Sequence, residues 1–218
     1  MICGVDEAGK GPVLGPLVIA GVIFEDDSEL ASLNVRDSKK ITPKRREFLA
    51  KKIKERAVKY EILVISAYDI DDMRKVMTLN EIEVNAFSKA ISKLKPDVCY
   101  VDAADVNEER FGRNILSKLS FRPKIISKHK ADDIYPIVGA ASILAKTTRD
   151  EIVRKIAVDL EKKLNLPLGS GYPADPITKK FLKTWVERHE ELPPYVRHSW
   201  KTAQKLMKES KMRTLDDF

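Results

Sequence analysis

Residues 2–12 read ICGVDEAGKGP, and this stretch decides the fold. A short apolar run ends in two adjacent carboxylates, Asp6 and Glu7, and a segment with glycine at both ends, Gly9 to Gly11, follows after Ala8. Carboxylates are ligands of hard divalent cations, and glycine lets a backbone approach a phosphate closely. The stretch therefore predicts a buried strand that delivers acids to a cation site beside a phosphate.

The remaining composition is that of a globular protein. The 218 residues are 43% hydrophobic and 33% charged, which suits one large domain with a small appendage. No apolar run reaches membrane-spanning length, and Met1 is not followed by the basic segment that opens a signal peptide. Cys3 and Cys99 lie within apolar runs and are expected to be small buried side chains. These features predict a cytoplasmic protein without a membrane partner.

The net charge of +7 indicates either solubility alone or an anionic polymer as partner, and the clustering of the charge matters more than its sum. Between residues 39 and 59 the chain has ten Lys or Arg against two Glu. Such a segment is either a solvated helix face or a surface for a nucleic-acid duplex, and the sequence leaves both open.

Apolar runs and turn signals predict five strands and a series of helices. The strands are expected at 2–5, 16–24, 60–67, 98–101 and 124–127. Helices are expected from Thr42 to about Val58 and at 69–74, 79–94, 106–119, 137–163, 178–189 and 200–208, with 25–37 as a loop. Little chain lies between strands 1 and 2, and strands 1 to 3 can be joined as antiparallel hairpins, whereas strands 4 and 5 arrive through helices and can run parallel to strand 1.

Parallel strands end at one edge of a sheet, so Asp6 and Asp102, each at a strand end, are expected to lie together. Glu7 joins them only if the strand breaks at Glu7, because neighbouring strand residues point to opposite faces. Asp132 precedes a helix and is either a further ligand or a helix cap. A set of carboxylates without His or Cys suits Mg²⁺ or Mn²⁺, and two such ions can promote phosphodiester hydrolysis.

A nucleotide-binding motif comes close at the same place but is excluded. Residues 4–10 match the G-x-x-x-x-G-K start of a P-loop, yet Gly11 stands where that loop needs Ser or Thr for Mg²⁺. The acids at positions 6 and 7 would also repel a triphosphate. The stretch is therefore not interpreted as an NTPase site.

Seven short segments, in order along the chain, carry a family resemblance. They are DEAGKGP (6–12), RDSKK (36–40), YVDAADV (100–106), HKADD (129–133), AASILAK (140–146), GSGYPADP (169–176) and WKT (200–202). Together they resemble ribonuclease HII, the type 2 ribonuclease H, in its archaeal form. The resemblance implies an α/β, ribonuclease H-like five-stranded mixed sheet flanked by helices, plus a small C-terminal helical domain. The expected boundaries are 1–166 for the catalytic domain, 167–210 for the helical domain and 211–218 for a tail.

The resemblance assigns catalytic and metal-binding roles to Asp6, Glu7, Asp102 and Asp132, with two Mg²⁺ or Mn²⁺ ions during the reaction. It implies an endoribonuclease that hydrolyses the RNA strand of RNA–DNA hybrids. Cleavage 5′ to a single ribonucleotide in duplex DNA is also implied, with 5′-phosphate and 3′-hydroxyl ends. Such an enzyme would act in ribonucleotide removal from DNA and in RNA primer removal.

Several residues match the family's substrate-binding positions. Gly9, Lys10 and Gly11 match a loop that reads the ribose 2′-hydroxyl through backbone groups. Arg is common at its middle position, and Lys10 lacks the bidentate fork that Arg offers a phosphate. Tyr172 matches a tyrosine that stacks on the sugar beyond the ribonucleotide. The expected phosphate-binding residues are Lys39, Lys40, Ser142 and Lys146, with helix packing as the alternative for Ser142.

The C-terminal tail resembles the motif with which replication proteins bind the sliding clamp. Met212, Leu215 and Phe218 have the right spacing, although Met replaces Gln and no second aromatic residue follows. A frayed terminus is the alternative. The resemblance also implies a monomer.

Two other functions remain open from the sequence. One is a non-catalytic nucleic-acid-binding module on the same scaffold, which the retained carboxylates disfavour. The other is a DNA nuclease or integrase with a ribonuclease H-like fold, which cleavage of an all-DNA duplex would reveal.

Overall fold

The computed structural model describes residues 1–26, 28–33, 35 and 41–216, with the side chains described up to residue 212 except at 29 and 32. Lys39, Lys40 and Phe218 lie outside the described residues, and so does the side chain of Leu215.

Contacts divide the chain into two compact units. The sheet unit comprises Met1–Ala8, Val18–Val64 and Met77–Thr148, and the helical unit comprises Gly9–Leu17, Ile65–Val76 and Arg149–Phe218. The opening stretch of the sequence therefore divides after Ala8. The domain boundary expected after residue 166 concerns independently folding parts and stays a prediction.

The sheet unit is built on one mixed sheet. Its strands are β1 (Ile2–Ala8), β2 (Leu17–Phe24), β3 (Lys59–Ile65), β4 (Val98–Asp102) and β5 (Lys124–Lys128), in the order β3-β2-β1-β4-β5. β1 pairs antiparallel with β2 and parallel with β4, and β4 pairs parallel with β5. This confirms a mixed five-stranded sheet in which the fourth and fifth strands run parallel to the first, and the direction of β3 stays a prediction. The Val- and Ile-rich β2 is buried along its whole length, as expected of an inner strand.

β1 does not break at Glu7, which was the condition for Glu7 to share a site with Asp6. Asp6 pairs with Ala20, Glu7 with Ile19 and Ala8 with Val18, so the antiparallel ladder continues to the end of β1. Because the ladder with β2 persists, Asp6 and Glu7 keep the strand's alternation between faces. The parallel register with β4 runs only from Ile2 to Val5.

The helices agree closely with the sequence patterns. They are α1 (Ser28–Leu33), α2 (Pro43–Arg56), α3 (Ala67–Met73), α4 (Leu79–Leu94), α5 (Glu108–Ser117), α6 (Ala131–Ile134), α7 (Pro136–Leu164), α8 (Pro176–His189) and α9 (Lys201–Asp216). The expected caps are confirmed at Thr42 and Thr78, whose hydroxyl groups accept the backbone N–H groups of Arg45 and Glu81.

Two segments differ from the expectation. Residues 25–37 were expected to be a loop, but α1 lies there because Leu30 and Leu33 are buried in the core of the sheet unit. Helix α9 continues past its expected end at residue 208 to Asp216, so the expected tail begins inside a helix. The segment contains neither Gly nor Pro, and Lys205 and Glu209 form an i,i+4 ion pair across one turn.

Helix α7 packs unusually close to β1. A Cβ atom added to Gly4 would lie 2.2 Å from the carbonyl oxygen of Ile137, in the first turn of α7. Further along α7, Ala140, Ala141 and Ala145 are small and fully buried in the same core cluster. Glycine at position 4 therefore fixes the distance between β1 and the helix that carries Ser142 and Lys146.

Replacing Gly4 by Ala is expected to destabilise the protein. The added methyl group would meet backbone rather than a movable side chain, and overpacking of this kind costs about 1–3 kcal/mol or more. We expect a decrease in melting temperature on the order of 5 °C, measured by circular dichroism. An unchanged melting temperature would show that α7 does not approach β1 this closely.

Candidate active site

Asp6 lies near the end of β1 and is almost fully buried, with a relative exposure of 3%. Its Oδ1 atom accepts the backbone N–H of Glu7 at 2.7 Å. Glu7 itself is partly buried. The sequence therefore places one of the two adjacent acids deep in the sheet unit, where an unbalanced charge is costly.

Asp102 ends β4 and is tied to the start of α6. Its Oδ1 atom accepts the backbone N–H of Ala131 at 3.0 Å. Asp132 follows in the first turn of α6, is 4% exposed, and has its Oδ2 atom 3.6 Å from Nζ of Lys146. The N-terminal cap of α6 is Lys130, so the alternative interpretation of Asp132 as the helix cap is wrong.

The pKa of Asp6 is shifted by burial and by the neighbouring charges of the site. Burial, followed by the charge of Asp102, raises the pKa of Asp6 from 3.8 to about 7. Ser142, the Glu7 amide and Lys146 act in the opposite direction and lower this pKa. Two carboxylates that disfavour each other's ionisation form a site that a cation would stabilise.

The candidate site fits a divalent metal ion by the type of its donor atoms. Asp6, Asp102 and Asp132 supply only hard oxygen donors, which suits Mg²⁺ or Mn²⁺. Among the residues that the structure describes, however, no group of three or more His, Cys, Asp or Glu side chains is arranged to hold a metal ion. The metal-binding role of the four carboxylates stays a prediction.

The other predicted residue positions of the sheet unit lie on α7. Ser142 is fully buried, whereas Lys146 is partly exposed and pairs with Asp132. The predicted phosphate-binding roles of Ser142 and Lys146 are not tested by these contacts and stay predictions.

In the helical unit, the loop from Gly9 to Gly11 is held by its carbonyl oxygens. Arg197 donates to the carbonyl oxygen of Gly9 at 2.6 Å and to that of Lys10 at 3.0 Å. Trp200 Nε1 donates to the carbonyl oxygen of Gly11 at 3.2 Å. Three successive peptide groups of the predicted recognition loop are therefore fixed by two side chains.

The backbone of this loop requires glycine at position 9. Its φ of 92° lies in the left-handed region, and an added Cβ would be 2.5 Å from the carbonyl oxygen of Pro16 and 2.6 Å from Nε of Arg149. Arg149 is 7% exposed, and burial lowers its pKa. The loop thus lies directly against a buried guanidinium group.

Tyr172 lies beside the loop from Gly9 to Gly11, which is the arrangement that a joint role of the ring and the loop needs. A Cβ added to Gly11 would be in van der Waals contact with the Tyr172 ring, 3.6 Å from Cε1. The ring is 45% exposed, and the guanidinium carbon of Arg149 lies 5.7 Å from its centroid. The Gly171 carbonyl oxygen accepts the N–H of Val13 at 2.9 Å, which joins the tyrosine segment to the loop.

Sequence analysis missed Arg149 and Arg197. The chain has 40 Lys and Arg residues, and no spacing distinguishes a buried arginine from a solvated one. The available signal for Arg197 was its position between aromatic residues, in YVRHSW (195–200).

Met212, the first residue of the predicted sliding-clamp motif, is 57% exposed on α9. In the described part of the chain, no helix combines the length and apolar character needed to cross a membrane.

Comparison with known proteins gives a consistent result. The sequence model of the ribonuclease HII family matches residues 3–203. Ribonuclease HII of Methanococcoides burtonii is 49% identical over 214 residues, which cover 94% of this chain and 99% of that protein.

Solved structures agree. The ribonuclease H2 of Pyrococcus horikoshii superposes with a TM-score of 0.87 at 40% identity, covering 96% of this chain and 98% of that one. The structure of the PCNA:RNase HII complex from Archaeoglobus fulgidus matches with a TM-score of 0.85 at 40% identity, covering 100% of both chains.

The mixed sheet, with aspartates near the ends of β1 and β4 and another in the first turn of α6, defines a ribonuclease H-like enzyme. Identities of this size over nearly the whole length specify the group within that class. The chain belongs to the ribonuclease HII family. Its activity is that of a ribonuclease H, an endoribonuclease that degrades the RNA of RNA–DNA hybrids.

Proposed function

We propose that this ribonuclease cuts 5′ to single ribonucleotides embedded in duplex DNA as well as within hybrids, leaving 5′-phosphate and 3′-hydroxyl ends. The observation that carries the cleavage chemistry is the buried Asp6 beside Asp102: burial and the charge of Asp102 raise the pKa of Asp6 to about 7. A divalent cation would offset the repulsion between these two carboxylates. Ribonucleotide removal from DNA and RNA primer removal are the corresponding cellular roles.

The carboxylates hold the reaction site, and Asp6, Asp102 and Asp132 are the proposed ligands. Glu7 is the proposed fourth ligand, but it joins them only if the end of β1 opens, because the unbroken strand directs Glu7 to the opposite face from Asp6. When bound, two Mg²⁺ or Mn²⁺ ions would supply a nucleophilic water and stabilise charge on the leaving oxygen. Asp102 is oriented by the Ala131 amide, and Lys146 balances the charge of Asp132. With cations bound, Lys146 would be able to contact a phosphate oxygen.

Recognition of the ribonucleotide is assigned to the loop from Gly9 to Gly11 together with Tyr172. The 2′-hydroxyl is the local feature that distinguishes RNA from DNA, so backbone groups fixed in direction can select for it. Tyr172 offers a half-exposed ring for stacking on the neighbouring sugar.

Arg149 suits the phosphodiester backbone in the same unit. Among the described residues, its Nε and Nη2 atoms have no hydrogen-bond partner although the side chain is 7% exposed. A buried charged donor without a partner is costly, and a phosphate oxygen is the partner that guanidinium groups prefer. We therefore include Arg149 among the proposed substrate-binding residues.

The test is a DNA duplex carrying one ribonucleotide, incubated with Mg²⁺ or Mn²⁺ beside an all-DNA duplex and an RNA–DNA hybrid. We expect one cut 5′ to the ribonucleotide, cleavage of the hybrid and an intact all-DNA duplex. Products labelled at either end identify the 5′-phosphate and 3′-hydroxyl. Cleavage of the all-DNA duplex would instead favour the DNA nuclease or integrase, and binding without cleavage would favour the non-catalytic module.

A second proposal concerns the C-terminal tail, which we infer binds a sliding clamp through Met212, Leu215 and Phe218. The support is the spacing of these residues, the exposure of Met212 and the existence of a PCNA complex of the Archaeoglobus fulgidus enzyme.

Removing residues 211–218 is expected to weaken clamp binding at least about tenfold, because the proposed anchors are lost. Surface plasmon resonance with the clamp from the same organism would measure the change. Cleavage of a hybrid in the absence of clamp should stay within about twofold of wild type, since the tail contributes no proposed catalytic group. Equal clamp affinity for both chains would contradict the proposal.

A further inference from the structure

We propose that Arg197 is a positioning residue for ribonucleotide selectivity: it fixes the direction of the backbone N–H groups of Lys10 and Gly11. The inference rests on the proposed role of the loop from Gly9 to Gly11. It concerns a side chain far away in sequence whose guanidinium group donates to carbonyl oxygens of the loop.

Arg197 is fully buried, and its guanidinium group holds three carbonyl oxygens. Its Nε donates to the carbonyl oxygen of Gly15 at 3.0 Å, Nη1 to that of Lys10 at 3.0 Å and Nη2 to that of Gly9 at 2.6 Å. A guanidinium group presents its donors in one rigid plane, so three contacts from one group fix the positions of three carbonyl oxygens together. Lysine could not reproduce this arrangement, because its donors sit on a single atom.

Fixing a carbonyl oxygen also fixes the next N–H. Peptide groups are planar, and the described peptide bonds are all trans, so each C=O points opposite to the N–H of the following residue. Because Arg197 holds the carbonyl oxygens of Gly9 and Lys10, the N–H groups of Lys10 and Gly11 point away from Arg197. The next residue, Pro12, has no N–H to offer.

Trp200, three residues after Arg197, holds the third carbonyl oxygen of the loop from Gly9 to Gly11. Its Nε1 donates to the carbonyl oxygen of Gly11, and its ring centroid lies 4.7 Å from the guanidinium carbon of Arg197. The two side chains therefore hold each other as well as the loop. A 2′-hydroxyl can accept a hydrogen bond, so two N–H groups with fixed directions form a suitable reader for it.

The backbone around Arg197 is anchored independently of its side chain. Leu14 and Val196 form an antiparallel bridge, Arg197 N–H donates to the Val13 carbonyl oxygen at 2.8 Å, and Gly15 N–H donates to that of Tyr195 at 2.9 Å. These contacts remain when the side chain is changed. A substitution at position 197 can therefore alter the loop while the segment keeps its place.

The experiment compares Arg197→Lys with wild type on two duplexes, each with one modified nucleotide in DNA: a ribonucleotide, and a 2′-fluoro-2′-deoxynucleotide that cannot donate a hydrogen bond and accepts one poorly. The readout is the ratio of kcat/KM for the two substrates. We expect the ratio to fall about tenfold in Arg197→Lys, because the loop no longer distinguishes the sugars. Arg188→Lys, an exposed substitution on α8, should leave the ratio unchanged.

A merely structural role would lower both rates equally and leave the ratio intact, which would overturn the proposal. If Arg197→Lys does not fold, Trp200→Phe is the second variant. It removes the donor to Gly11 while keeping an aromatic ring, and we expect about a threefold fall in the ratio. An unchanged ratio in Trp200→Phe would contradict the proposed role of Arg197 and Trp200 in holding the loop.

The same experiment distinguishes a failure of the proposed function from a failure of the proposed role of Arg197. A wild-type enzyme that does not cut at a lone ribonucleotide contradicts the proposed function. A wild-type enzyme that cuts there, with a variant that keeps the full sugar ratio, contradicts only the role of Arg197.

Discussion

Asp6→Asn is expected to abolish cleavage while making the metal-free protein more stable. Loss of one carboxylate from the proposed two-metal site removes several kcal/mol of transition-state stabilisation, so cleavage should fall at least about a thousandfold. Hybrid binding should survive, because the basic surface and the loop from Gly9 to Gly11 are retained. Single-turnover cleavage and electrophoretic mobility shift of the same labelled hybrid measure the two effects.

The stability effect follows from the sign of the pKa shift. The pKa of Asp6 is about 7 in the folded protein against an ordinary 3.8, so the fold binds this proton more tightly than the unfolded chain does. The resulting stabilisation is present below about pH 4 and is lost as the pH rises through about 7. Asparagine carries no charge, so the variant's advantage over wild type should grow between these pH values.

The measurement is the melting temperature of both proteins in EDTA at pH 4, 5.5, 7 and 8. At pH 8 we expect Asp6→Asn to melt higher by on the order of 5 °C. Mn²⁺ should raise the melting temperature of wild type and have little effect on the variant. Asp159→Asn, an exposed substitution on α7, is the matched control and should show neither change. A variant that cleaves normally would refute the assignment of Asp6.

The sequence was most informative where local chemistry decides the structure. Helix α4 begins after Thr78 and ends at Leu94, as its apolar spacing and capping residue predict. It was least informative at Glu7, because pairing with Ile19 on β2 carries the strand past the acids. A single strand's sequence does not contain its partner's register.

The candidate site shows the same distinction. The acids at strand ends could be found because parallel strands bring their carboxyl ends to one edge. Arg197 could not be found, since its burial depends on carbonyl oxygens about 180 residues away in the chain. Arg149 likewise is recognisable only once Gly9 and Tyr172 are placed around it.

Tyr172→Ala is expected to reduce the preference for a lone ribonucleotide over an all-RNA hybrid. The ring lies against Gly11 and over Arg149, and its exposed part is the surface proposed to stack on the sugar that follows the ribonucleotide. On this proposal a deoxyribose would stack there without obstruction, whereas a second 2′-hydroxyl would be disfavoured. Without the ring the enzyme loses this selection, and we expect the ratio of kcat/KM for the two substrates to fall about tenfold.

Two further variants make the interpretation of this result specific. Tyr172→Phe keeps the ring and its contact with Arg149, so the ratio should stay within about twofold of wild type. Tyr68→Ala removes a tyrosine that is 79% exposed on α3, also in the helical unit, and should have no effect on the ratio. If Tyr172→Ala lowers both rates equally, the ring supports the loop rather than selecting the sugar. Selection would then have to come from the N–H groups that Arg197 directs, and the effect of Arg197→Lys on the ratio would be the larger of the two.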